Sequence, residues 1–142
     1  MSSEPGKTTS WKRQFDLASS RTDIDVAVGE VLQACTDLGM EEPATFAIRL
    51  SLEEAMANAM THGNGGDETK RILLDCHIDA DQVVMAIQDE GPGFDPDTVP
   101  DPTADENLTI ASGRGLALIK AFMTHVEIPR PGNRLELVFE RS

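Results

Sequence analysis

A carboxylate, a carboxamide and an imidazole recur at a four-residue spacing in Glu54-Ala55-Met56-Ala57-Asn58-Ala59-Met60-Thr61-His62. Positions i, i+4 and i+8 share one face of a helix, so Glu54, Asn58 and His62 line up as a polar stripe. The surrounding Phe46, Ile48, Leu50, Leu52, Ala55, Met56 and Ala59 are apolar nearly all the way round, which is the pattern of a buried helix. A buried carboxylate without a partner is costly. The stripe therefore faces a cleft or a cation, unless the helix is a surface one and water covers it. Two glycine-bearing stretches follow downstream. Asp89-Glu90-Gly91-Pro92-Gly93-Phe94 directly follows an apolar run, and Ser112-Gly113-Arg114-Gly115-Leu116 precedes another. Taken singly, a DxGxG is often only a tight turn and a GxG before a helix only a loop junction. The chemistry open to them is nonetheless specific. The Asp89 carboxylate can accept hydrogen bonds, and Gly91 and Gly93 leave main chain open to close approach. Gly113 and Gly115 present unhindered amides at a helix start, where the dipole favours phosphate, and Arg114 can add charge or point to solvent.

The elements that must hold these residues can be read from periodicity. The stripe lies on a predicted helix from Glu42 to Asn64, with Pro43 in its first turn and Gly63, Gly65 and Gly66 at its end. Before it, Trp11 to Ala18 alternates apolar and polar residues as a strand does, and Ser19-Ser20 breaks the pattern. Thr22 or Asp23 can cap a helix running to Leu38, with Gly39 at its end. After the long helix, Thr69–Asp79 and Gln82–Gln88 read as a β-hairpin around Asp79-Ala80-Asp81. Asp89 to Ser112 loses all periodicity and holds four prolines, seven carboxylates and no lysine or arginine. A loop of that length in a small domain is expected to be a lid, assigned to residues 95–112, or else disordered. A helix over Leu116–Met123 and strands near Thr124–Ile128 and Arg134–Glu140 complete the chain. Strands come in hairpins and segregate from helices. The expected fold is therefore α+β, a two-layer sandwich of a mostly antiparallel sheet with helices on one face.

The chain of 142 residues is expected to form one domain, with residues 1–9 loose. Its net charge of -13 argues against a nucleic-acid partner, which needs a basic face, and requires any polyanionic ligand to be held by local dipoles and a cation. No stretch approaches a membrane span and the N-terminus lacks the pattern of a signal peptide. Cys35 and Cys76 have no metal-ligand spacing and read as reduced, packed thiols of a cytoplasmic protein.

In this order and spacing the three stretches resemble the N, G1 and G2 boxes of the ATPase superfamily of gyrase, heat-shock chaperones, histidine kinases and the MutL repair proteins. The run from Glu54 to Gly63 is similar to that of the small anti-sigma factor serine kinases, and the resemblance covers roughly residues 11–141. It implies the Bergerat-type ATP-binding fold and ATP with Mg²⁺ as cofactors. It further implies that Asn58 is the Mg²⁺ ligand, a role its hard neutral oxygen suits. Glu54 is then the catalytic base, and Asp89 selects adenine with Gly91 and Gly93. Ser112, Gly113, Arg114, Gly115 and Leu116 contact phosphate. His62 matches a histidine of these kinases, although a capping or packing histidine has the same signature. His77 and His125 read as structural. The lysine that histidine kinases carry just after the asparagine is replaced here by Met60, Thr61 and His62. The implied function is a serine/threonine-protein kinase acting as an anti-sigma factor, with an antagonist protein as phosphoacceptor and a sigma factor as second partner. The implied assembly is a homodimer, for which the first strand offers an edge. The alternative is a non-catalytic ATP-binding switch that sequesters a regulatory partner. A histidine kinase is disfavoured, because no segment is left for a dimerising helical hairpin.

Overall fold

A computed structural model of the chain describes residues 10–92 and 114–141, without the side chain of Arg114. In chain order the elements are β1 (Trp11–Ala18), α1 (Arg21–Asp37), α2 (Glu42–Asn58), a π-helical turn (Ala59–Gly63), β2 (Arg71–Ile78), β3 (Gln82–Gln88), α3 (Arg114–Phe122), β4 (His125–Glu127) and β5 (Arg134–Glu140). The strands form one sheet in the order β1-β2-β3-β5-β4, and every neighbouring pair is antiparallel. The expected α+β sandwich is the observed one. The lid assigned to residues 95–112 and the loose residues 1–9 lie outside the described residues.

Alternation decides which face of the sheet is covered. Phe15 pairs with Leu74, Leu74 with Ile87, and Ile87 with Leu135, so one row of apolar side chains crosses four strands. The same face carries Ile72, Cys76, Ile78, Val83, Met85 and Leu137, all buried. They join Ile24, Val28 and Val31 of α1, Ile48, Leu52 and Met56 of α2, and Ile119 of α3 in a single core. The alternate positions, among them Lys12, Gln14, Asp16, Arg71 and Leu73, are exposed. That face is open because the period-2 pattern supplies only one apolar side.

The cap of helix α1 lies two or three residues earlier than its sequence suggests. Ser20 is the cap, and its side chain accepts from the Asp23 amide at 3.2 Å. Asp23 instead accepts from the Ala18 amide at 3.1 Å and ties the strand end to the helix start. Both cysteines are buried and free. Burial pushes the Cys35 thiol up to about 11 and the Cys76 thiol up to about 12, so both stay protonated and unreactive at neutral pH.

Candidate nucleotide and phosphate site

The last two turns of α2 carry Glu54 and Asn58, both half-buried. Among the described residues neither side chain has a hydrogen-bond or ion-pair partner. What stands over them is the start of α3. A methyl carbon added to Gly115 would lie 2.6 Å from Glu54 Oε1 and 3.0 Å from Asn58 Nδ2. Only glycine lets the two helices approach this closely. The amides of the first turn of α3 are thereby brought beside a carboxylate and a carboxamide that have no other partner among the described residues. Leu116 follows as a buried side chain of the core, so at that position only the main chain is open to the site. Gly93, Ser112 and Gly113 lie outside the described residues, and Arg114 is the first residue of α3.

The continuous helix expected to Asn64 is corrected here. Regular α-helix ends at Asn58, and Ala59–Gly63 form a π turn closed by the Asn64 amide on the Ala59 carbonyl at 2.8 Å. A π turn spreads its hydrogen bond over five residues and so advances less per residue than an α-helix. The regular α-helical geometry that joins Glu54 to Asn58 is therefore interrupted before His62, which is exposed.

The π turn also delivers Gly63 to the loop after β3. A methyl carbon on Gly63 would fall 2.1 Å from Asp89 Oδ2, and one on Gly91 would fall 2.0 Å from the Gly63 carbonyl oxygen. Gly63, Asp89 and Gly91 thus occupy one another's side-chain space. The Asp89 Oδ1 accepts from the Gly91 amide at 2.7 Å, while Oδ2 has no hydrogen-bond partner among the described residues. Burial raises the Asp89 carboxyl above its ordinary value, against the opposing pull of the Gly91 amide and the Lys70 charge. Glu90, its neighbour, is exposed and accepts from the Arg71 amide at the start of β2.

Two asparagines that the motifs did not single out complete the arrangement. Asn64 is only 2% exposed; its Oδ1 accepts from the Glu90 amide at 2.8 Å, and its Nδ2 donates to Ser19 Oγ at 2.6 Å and to the Arg71 carbonyl at 3.1 Å. Asn133, in the turn between β4 and β5, accepts the Asp89 amide on its carbonyl at 2.9 Å. Its Nδ2 donates to the carbonyls of Asp89 at 3.2 Å and Gly91 at 3.4 Å. Asn64 lies between glycines and Asn133 follows Pro131-Gly132, so both read as ordinary turn residues in sequence.

An open cleft of about 390 Å³, bounded by Gly39, Met40, Pro43, Phe139 and Arg141 among others, lies elsewhere. Arg141 is occupied there by the carbonyls of Asp79 at 2.6 Å and Leu38 at 3.0 Å, and no carboxylate–carboxamide pair stands beside it.

Comparison with known proteins places the chain in a family. The model of the histidine kinase-like ATPase domain matches residues 7–139. An anti-sigma F factor of Oceanobacillus iheyensis is 29% identical over 121 residues, covering 82% of this chain and 83% of that protein. An anti-sigma F factor of Clostridium perfringens is 26% identical over 89 residues, 61% of this chain and 64% of that protein. A serine-protein kinase RsbW of Listeria innocua is 26% identical over 96 residues, 63% of this chain and 61% of that protein. With the family model spanning nearly the whole chain, the protein belongs to the histidine kinase-like ATPase domain family.

Proposed function

We propose that the protein is an ATP- and Mg²⁺-dependent serine/threonine-protein kinase that acts as an anti-sigma factor, phosphorylating a small antagonist protein and holding a sigma factor inactive. The observation that carries this reading is the pair Glu54 and Asn58, without side-chain partners among the described residues, beneath Gly115 at the start of α3. The names of the relatives, anti-sigma F factor and serine-protein kinase, point the same way.

The residues suit the cofactors. At Gly115, Gly63 and Gly91 a methyl group would collide with Glu54, Asp89 and the Gly63 carbonyl, so these glycines are what lets the polar groups of the site stand this close to main chain. When bound, ATP with Mg²⁺ supplies the transferable phosphoryl group and the charge that offsets its oxygens. Asn58 would hold the metal through its carboxamide oxygen, as a single hard ligand suits a cation that takes its remaining ligands from phosphate and water. Glu54, one turn away on the same face, accepts the proton of the acceptor hydroxyl. The α3 amides, with Ser112, Gly113, Arg114, Gly115 and the backbone of Leu116, bind phosphate oxygens at a helix N-terminus, and His62 adds a contact beside them. Asp89 accepts the adenine amine, and Gly91 and Gly93 leave the base room. Phosphoryl transfer depends on positioning and charge stabilisation, which is what this set offers.

A cytoplasmic location follows from this role, and among the described residues no helix is long and apolar enough to cross a membrane. Strand β1 ends the sheet, pairing only with β2 among the described strands, and its free edge supports pairing with a second copy. Incubation with γ-labelled ATP, Mg²⁺ and the antagonist protein should place label on a serine or threonine of the antagonist. A protein that binds ATP yet labels no such acceptor would overturn the kinase reading and leave a nucleotide-gated binding module.

A further inference from the structure

A carboxylate discriminates between an amine and a carbonyl only if it cannot turn aside. Lone pairs facing a carbonyl oxygen repel, and a mobile side chain escapes that repulsion by rotating. Holding a specificity group to within about 0.5 Å requires its main chain and neighbours to be locked by packing and hydrogen bonds. The loop bearing Asp89 is locked in this way from two separate elements. From the end of α2, buried Asn64 takes the Glu90 amide on Oδ1 at 2.8 Å. Its Nδ2 is committed to Ser19 Oγ at 2.6 Å and to the Arg71 carbonyl at 3.1 Å, so the carboxamide cannot rotate without losing all three bonds. Ser19 is fixed in turn by donating to the Lys70 carbonyl at 2.8 Å. From the β4–β5 turn, the main-chain carbonyl of Asn133 takes the Asp89 amide at 2.9 Å, and its side-chain Nδ2 donates to the Asp89 carbonyl at 3.2 Å and the Gly91 carbonyl at 3.4 Å; the last two are the bonds that Asn133→Ala removes. The amides of Asp89, Glu90 and Gly91 are then all engaged, the last by Asp89 Oδ1 itself at 2.7 Å. Only Oδ2 is left to meet a ligand.

We propose that Asn64 and Asn133 are positioning residues that set the purine specificity of the site: they hold the Asp89–Gly91 main chain so that Asp89 Oδ2 accepts a 6-amino purine and rejects a 6-oxo purine. The inference rests on the reading of Asp89 as the adenine contact. Loosening the clamp lets the carboxylate swing away, so affinity for the amino purine falls while the oxo purine is tolerated better. A purely structural asparagine behaves differently, because its loss lowers stability and leaves the ratio of the two affinities alone.

Calorimetry on the full chain with ADP and with inosine diphosphate, both with Mg²⁺, measures that ratio. Asn64→Ala and Asn133→Ala should each lower the preference for ADP by about tenfold, the size expected from weakening one hydrogen bond to a charged group. Ile78→Val, in the core at the far end of β2, should lower the melting temperature and keep the preference. Asp89→Asn separates the two levels. A wild type with no preference for ADP, or an Asp89→Asn protein that keeps it, sinks the adenine reading and the clamp with it. An Asp89→Asn protein that loses the preference beside asparagine variants that retain it overturns the clamp alone. If Asn64→Ala does not fold, half-buried Asn133 decides the matter by itself.

Discussion

Asp89 sits where its own loop gives it one partner and denies it a second. Oδ1 has the Gly91 amide at 2.7 Å, and Oδ2 fills the space a side chain on Gly63 would need. Replacing Asp89 with Asn should weaken ADP by about 1–3 kcal/mol, the worth of a hydrogen bond to a charged group, measurable by calorimetry. Gly63→Ala should do at least as much damage, because its methyl group would stand 2.1 Å from Oδ2 and must push the carboxylate out. The pH dependence has a definite sign. Burial raises the Asp89 carboxyl above 3.8, and the ionised form is the one that accepts an amine. ADP affinity should therefore fall as pH drops through that raised value, where an ordinary aspartate would still be charged, and Asp89→Asn should lack this fall. For the unliganded fold the sign is reversed: the native state holds this proton more tightly than the unfolded chain, so its contribution to stability declines as pH rises from 3.8 through the raised value. At this scale the i, i+4 spacing of Glu54 and Asn58 was legible from helical geometry alone. Asn64 and Asn133 were not, since their partners Ser19 and Asp89 lie 45 and 44 residues away and an asparagine in a glycine-rich turn looks the same with or without them.

Among the elements, α2 serves two purposes and its sequence shows both. Ile48, Leu52 and Met56 are fully buried at i, i+4 and i+8, while Glu54 and Asn58 run along another line of the same helix. Leu52→Ala should cost about 2–5 kcal/mol of stability in denaturant titration, since it leaves a cavity in the centre of the core. Ser51 offers the opposite test. It is fully buried, and its hydroxyl has no hydrogen-bond partner among the described residues. Ser51→Ala removes an unsatisfied polar group at almost constant volume and should raise stability by about 1 kcal/mol, read as a higher melting temperature. The hairpin and the strand at the C-terminus were found within two residues of their observed ends. The π turn was not. Its residues Ala59–Gly63 carry the same apolar and polar types an α-helix would, and the widened turn follows from how Gly63 must meet Asp89, a contact between segments far apart in sequence.

At the scale of the whole molecule, an acidic chain of net charge -13 has to bind a polyanion. General attraction does not help, so on the proposed reading binding rests on short-range groups: the amides at the start of α3, a cation that Asn58 would hold, and the shape left by glycines. The sheet supplies the frame. The loop after β3 and the turn before β5 emerge side by side because those strands are neighbours, and α2 crosses the core to bring Glu54 and Asn58 under α3. As a kinase, this frame transfers phosphate from the nucleotide and does not merely hold it. The direct measurement is single-turnover transfer from γ-labelled ATP to the antagonist protein, with ATP affinity measured in parallel, for wild type, Glu54→Gln and Asn58→Ala. Asn58→Ala should lose both Mg²⁺-dependent ATP binding and transfer. Glu54→Gln should keep ATP affinity while transfer falls by roughly 10²–10⁴-fold, the range for loss of a general base. Transfer by Glu54→Gln at the wild-type rate would remove Glu54 as the base, and no transfer by a wild type that binds ATP normally would leave only a nucleotide-binding module.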